Sequence, residues 1–170
     1  MLQMQRTEAE LTPEYERYCI EQAEAWLSKV RKAAQCAKRL EEQAEAQYAA
    51  ADNLKGIDYS EVRVQTSPTP DAIPNAVARI IEVGSKLAEI SESAKRYVRE
   101  AADTIAAIDD VSEAACLRLY YVDALPAWGD VQARLGIKSY DGLMRLRRRA
   151  LVHVYDAMPY RERDAMPPAY

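Results

Sequence analysis

The chain has 170 residues with only 5 Gly against 8 Pro, and a net charge of −4, room for one ordinary domain or for an extended element plus a small globular one. It holds no apolar run of the ~18 residues a membrane-crossing helix needs, and residues 1–10 are polar and mixed in charge, unlike a signal peptide. No Gly-rich phosphate loop, H-E-x-x-H or G-x-S-x-G is present, so the expectation is a cytoplasmic protein that is not an enzyme and carries no cofactor.

Charge is unevenly spread. Residues 134–170 hold eight basic side chains (Arg134, Lys138, Arg145, Arg147, Arg148, Arg149, Arg161, Arg163) against four acidic ones. The rest of the chain is acidic, which reads as a basic binding end on an acidic body. Cys19, Cys36 and Cys116 are scattered and form no C-x-x-C pair, so they read as small apolar helix residues. His153 is the one histidine and has no neighbouring ligand set, so no metal is expected.

Taken in chain order, Thr12-Pro13 is an N-cap followed by proline at the first helical position. Cys19, Ala23, Trp26, Val30, Ala33, Ala37, Leu40 and Ala44 then alternate steps of four and three, the seam of a coiled coil. The helix should run to about Leu54, where Lys55-Gly56 supplies the stop. A connector over residues 55–71 carries Ile57, Tyr59, Val62 and Val64 in an alternation that would let them dock on the helices, then a Pro-rich loop.

A second stripe, Ile73, Val77, Ile80, Gly84, Leu87, Ser91, Ala94, Val98, Ala101, Ile105 and Ile108, keeps the same alternation. Gly84 and Ser91 leave room for a bulky residue such as Trp26 or Tyr48. Two long helices joined by a short segment pack most economically as an antiparallel hairpin. Seams so rich in alanine bury little area, which predicts association into a homodimer or a higher homo-oligomer.

Asp110 to Glu113 fits a capping box that opens a third helix, about Val111 to Val122. After Leu125-Pro126 a short helix follows, about Ala127 to Leu135, with Trp128 as a core anchor. Gly136-Ile137 is a turn, and Ser139 caps a last helix to about Asp156 with Leu143, Leu146, Ala150 and Val154 inward. Helix, break, short helix, glycine turn and basic helix together have the layout of a helix-turn-helix. The overall expectation is an all-α chain. It comprises a helical hairpin over residues 1–109, a tri-helical helix-turn-helix module over 110–158 and a flexible tail over 159–170.

The residues expected to face DNA are Lys138, Ser139, Tyr140, Asp141, Met144, Arg145, Arg148 and Arg149. Arginines on that face can grip guanine edges in pairs of hydrogen bonds or hold phosphates. Arg147 lies nearer the core stripe and should matter least to DNA.

The order Leu117-Arg118-Leu119-Tyr120-Tyr121, Trp128-Gly129-Asp130-Val131, Leu135-Gly136-Ile137 and Leu143-x-x-Leu146-x-x-x-Ala150-Leu151 resembles region four of sigma factors, the promoter-reading module. More closely it is similar to phage-encoded sigma-like regulators of the RinA and ArpU type, and Ile57-Asp58-Tyr59-Ser60 is similar to a stretch they carry upstream. The resemblance implies sequence-specific binding of double-stranded DNA, transcription regulation in a phage or prophage, and RNA polymerase as a further partner. Two alternatives from other classes are a structural adaptor built on the coiled hairpin and a phage DNA-packaging recognition subunit.

Overall fold

The computed structural model describes residues 12–55 and 72–163, and among them every regular element is helical. Among the described residues there are five α-helices: α1 Pro13–Lys55, α2 Ala72–Ala106, α3 Val111–Leu117, α4 Trp128–Leu135 and α5 Tyr140–Ala157. The boundaries read from the sequence fall within a few residues of these. The proposed docking of Ile57, Tyr59, Val62 and Val64 lies outside the described residues.

The ends of the helices are set by the chemistry their sequences offer. Thr12 Oγ1 accepts the Tyr15 amide at 3.3 Å, with proline at the first position of α1. Asp110 accepts the amides of Ser112 at 2.8 Å and Glu113 at 3.3 Å, which caps α3. The other half of the expected capping box does not form. Glu113 turns inward, where Arg149 and His153 on α5 hold its carboxylate.

From α3 the chain passes into a five-residue π-helical segment, Arg118–Val122, whose Tyr121 is buried. It ends at Ala124, with φ 54°. A non-glycine residue in that left-handed region is strained, and the strain is held by the Leu125 amide donating to Leu119 O at 3.1 Å. The Tyr120 and Tyr121 rings meet edge to face, 5.0 Å between centroids, and both reach Trp128.

The chain divides into two compact units, Met1–Ala34 with Tyr97–Tyr170, and Gln35–Arg96. The sequence suggests a cut at Asp109 instead. The difference arises because the first half of α1 carries large apolar residues that belong to the core of the C-terminal helices.

In the first unit, Cys19, Ala23, Trp26, Leu27 and Val30 of α1 and Ala101, Ile105 and Ile108 of α2 form one core with Leu117, Tyr121, Leu151, Val154, Tyr155 and Met158. A smaller cluster of Cys116, Val131, Leu143 and Leu146 joins α3, α4 and α5. Leu143, Leu146, Ala150 and Val154 are all buried, as their spacing predicts. Past α5, where the sequence suggests a loose tail, Tyr160–Glu162 make a single 3-10 turn and Arg161 pairs with Glu100. Arg163 donates to Asp156 O at 2.9 Å and Met158 O at 3.0 Å.

Among the described residues of the second unit, the buried ones are Ala37, Ala44, Ala51, Gly84 and Ser91, none larger than serine. Ser91 Oγ donates to Ala37 O at 3.0 Å, and Lys95 pairs with Glu41 at 2.7 Å. Tyr48 lies over Gly84, where an added Cβ would sit 3.1 Å from its ring. Gly84 therefore accommodates a bulky partner, Tyr48 being one of the two named from sequence.

Candidate nucleic-acid interface

The candidate site is built on α4, the turn from Gly136 to Ser139, and α5. Asp130 accepts the Ala127 amide at 3.1 Å and so starts α4. Gly136, with φ 67°, ends it in the left-handed conformation that glycine adopts without steric cost. The Gly136 amide donates to Ala133 O at 3.3 Å and the Ile137 amide to Gln132 O at 3.2 Å. The Gln132 side chain closes the turn by donating to Ile137 O at 3.0 Å. Ser139 Oγ then accepts the Gly142 amide at 3.0 Å and begins α5.

Two stacked layers fix this module against α1. The rings of Tyr120 and Trp128 stack with centroids 3.9 Å apart and planes 16° from parallel. Arg31 sits 4.0 Å from the Tyr120 centroid, and Arg147 sits 5.0 Å from that of Trp128. The result is a cation–ring–ring–cation column. Arg31 also donates to Tyr120 O and to Pro126 O, across the α3–α4 break. Trp128 thus serves as the packing anchor expected of it. Sequence reasoning did not find Arg31, since nothing near it marks a partner 89 residues away.

The basic run of α5 is split by partners. Arg147 pairs with Glu24 of α1 and is turned inward, consistent with its place near the core stripe. Arg148 Nε lies 2.8 Å from Glu16 Oε1, also on α1. Arg149 Nε lies 3.3 Å from Glu113 Oε1, and His153 Nδ1 lies 2.5 Å from the other oxygen of the same carboxylate. Glu113 is buried at 2% exposure, so α3 and α5 are joined by an ion pair and a hydrogen bond at one buried carboxylate. The sequence offers one signal for it, a lone histidine at i+4 from an arginine on one helix.

Of the residues read as DNA-facing, Lys138, Ser139, Tyr140, Asp141, Arg145, Arg148 and Arg149 are exposed, and Tyr140 keeps 50% of its surface. Met144 is half-buried against the smaller cluster, and Ser139 is engaged as the cap. Arg145 makes no ion pair among the described residues; its Nε donates to Asp141 O at 3.4 Å. Glu16, Gly142, Arg145, Leu146, Arg148 and Arg149 line an open hollow of about 490 Å³.

Burial pushes the Cys116 thiol up to about 11, beneath this surface. No group of three metal-ligating side chains occurs among the described residues, and no described helix is long and apolar enough to cross a membrane. No protein-family model, curated protein or solved structure matches the chain.

Proposed function

We propose that the chain binds double-stranded DNA in a sequence-specific manner, with α4 and α5 as a helix-turn-helix and α5 as the element that enters the major groove. The observation that carries this reading is the turn itself. A short helix ends on a left-handed Gly136, and three residues later Ser139 caps a basic helix whose first turns are exposed. Lys138, Tyr140, Asp141 and Arg145 then project from the end that would meet base edges first. On this reading α1 and α2 form an antiparallel coiled hairpin, and the chain is a phage or prophage transcriptional regulator that also meets RNA polymerase. The resemblance to sigma-like regulators supports that role.

A second reading has its own support. Arg147, Arg148 and Arg149 each face a carboxylate of the same chain, as expected of an adaptor whose basic run is internal scaffolding.

Selection from a random duplex pool, followed by binding of variants to the selected and scrambled sites, separates the two. Arg145→Ala should cost about 1–3 kcal/mol on the selected site and relax one base position. Arg148→Ala should weaken all duplexes alike and lower the salt slope by about one. Glu16→Gln should strengthen binding by releasing Arg148. Parent-like binding by both arginine variants, with helices intact by circular dichroism, would move the adaptor reading ahead.

A further inference from the structure

Arg145, Arg148 and Arg149 form a triangle on α5. Residues three and four apart are neighbours on a helix surface, about 5–6 Å between Cβ atoms, so Arg145 lies one turn before both of the others. With Gly142, Leu146 and Glu16 of α1 they line the open hollow of about 490 Å³, a size within the roughly 300–1,000 Å³ of small-ligand sites. Gly142 has no side chain and Leu146 is buried. The polar lining is therefore three guanidiniums and one carboxylate. Each guanidinium meets the protein through Nε. Arg145 donates to Asp141 O at 3.4 Å, Arg148 donates to Glu16 Oε1 at 2.8 Å, and Arg149 lies 3.3 Å from Glu113 Oε1. Among the described residues the Nη groups of all three form no hydrogen bond.

We infer that this hollow is a phosphate-binding site, and that Glu16 is the internal anion that stands in it when phosphate is absent. A carboxylate offers two oxygens in one plane and is satisfied by a single guanidinium fork. Among the described residues Glu16 accordingly engages Arg148 alone. A phosphate spreads its terminal oxygens tetrahedrally and accepts from guanidiniums that converge from different sides. Three cations against one carboxylate leave the hollow short of negative charge, which a phosphate supplies. Arg148 and Arg149 are its holders. Arg145 makes no ion pair among the described residues and is free to serve the phosphate or a base edge. The Glu16 side chain is 31% exposed and that of Arg148 60%, so water screens their pairing, and an anion with more charge and more acceptors displaces it. The phosphate belongs either to a duplex backbone or to a free phosphorylated molecule. Only the first source rests on the DNA-binding reading.

The test follows the arginine Nε–H signals of the full chain by heteronuclear NMR at constant ionic strength, with pyrophosphate as the probe and acetate as the control. Pyrophosphate should move Arg148 and Arg149 together along one saturating curve and leave the exposed Arg134 in place. Acetate should not saturate them. Arg148→Gln should weaken pyrophosphate about tenfold, the worth of one charge-assisted hydrogen bond, with helix content unchanged by circular dichroism. Glu16→Gln should tighten it. A short duplex then separates the sources. Displacement of pyrophosphate by the duplex assigns the phosphate to a DNA backbone. No displacement assigns it to a free phosphorylated molecule, and a duplex that binds nowhere on the chain removes the DNA-binding reading while the site stands. No saturable shift, an equal shift of Arg134, equal saturation by acetate, or indifference to Glu16→Gln would each overturn the inference.

Discussion

Glu113 offers the sharpest test of how the C-terminal helices are held together. Its carboxylate is buried, and it faces Arg149 at 3.3 Å and His153 at 2.5 Å. Removing one partner leaves the other, so Arg149→Ala or His153→Ala alone should cost about 0.5–1.5 kcal/mol, the net worth of one hydrogen bond. Removing both strands a carboxylate in an apolar interior, which typically costs about 3–5 kcal/mol. Arg149 and His153 side chains are 57% and 41% exposed, so solvent screens the pairs and the low end, about 3 kcal/mol, is expected. With single losses near ~1 kcal/mol each, the double variant should therefore exceed the sum of the singles by ~1 kcal/mol.

Glu113→Gln should cost less, about 1 kcal/mol, because Arg149 and His153, both partly exposed, can turn to water. At ~2–4 °C per kcal/mol for a chain of this size, the double variant should melt about 6–12 °C below the parent. Thermal and urea unfolding of the full chain at neutral pH, without DNA, reads all four proteins. If the two single losses add to the double loss, or if Glu113→Gln is as damaging as the double variant, the buried carboxylate does not join α3 to α5 in this way.

Two further outcomes follow from burial. Cys36 is exposed, Cys19 is buried, and burial holds the Cys116 thiol up at about 11, so a thiol reagent at pH 8 should label Cys36 rapidly and the other two only on unfolding; rapid labelling of more than one thiol would contradict the packing of α3. Burial likewise pushes Tyr97 and Tyr155 from 10.0 up to about 12, Tyr97 with help from the nearby Glu162. Both acids are raised in the folded state, so the stability they contribute is full below pH 10 and is lost as pH rises toward 12. Urea midpoints should fall across that window, and alkaline slopes in Tyr97→Phe and Tyr155→Phe as steep as the parent's would refute the assignment.

Local signals made the helices legible. Thr12-Pro13, Asp110, Gly136 and Ser139 act within four residues of themselves, and the structure uses each where the sequence puts it. The inward stripe of α5 was legible too, since 3.6-residue periodicity depends on one helix alone. What failed to show was anything that depends on two elements. Asp110 and Glu113 look like a reciprocal cap, yet Glu113 leaves the box for Arg149 and His153, 36 and 40 positions on, which no local spacing encodes. Leu27 is fully buried but sits off the four-three seam. Within its unit α1 packs against α2 and also against the C-terminal helices, so its apolar face is wider than a two-helix seam.

The same limit governs the charge argument. Counting residues 134–170 makes the C-terminal end look like a free basic surface beside an acidic body. Within the first unit, however, acidic α1 lies against α5, and Glu16 and Glu24 take Arg148 and Arg147. Glu113 takes Arg149, and Glu100 takes Arg161. Charge that a folded chain already neutralises cannot release counterions from DNA unless the internal pair opens first. On the proposed DNA-binding reading, a footprint would therefore start from Lys138, just ahead of α5, and Arg145, on its second turn, and would extend to Arg148 only by displacing Glu16. On that reading those internal carboxylates would hold down affinity for unrelated duplexes, and recognition would fall to the few side chains at the mouth of the helix. For the proposed function, that division would favour discrimination among sequences over coating of DNA.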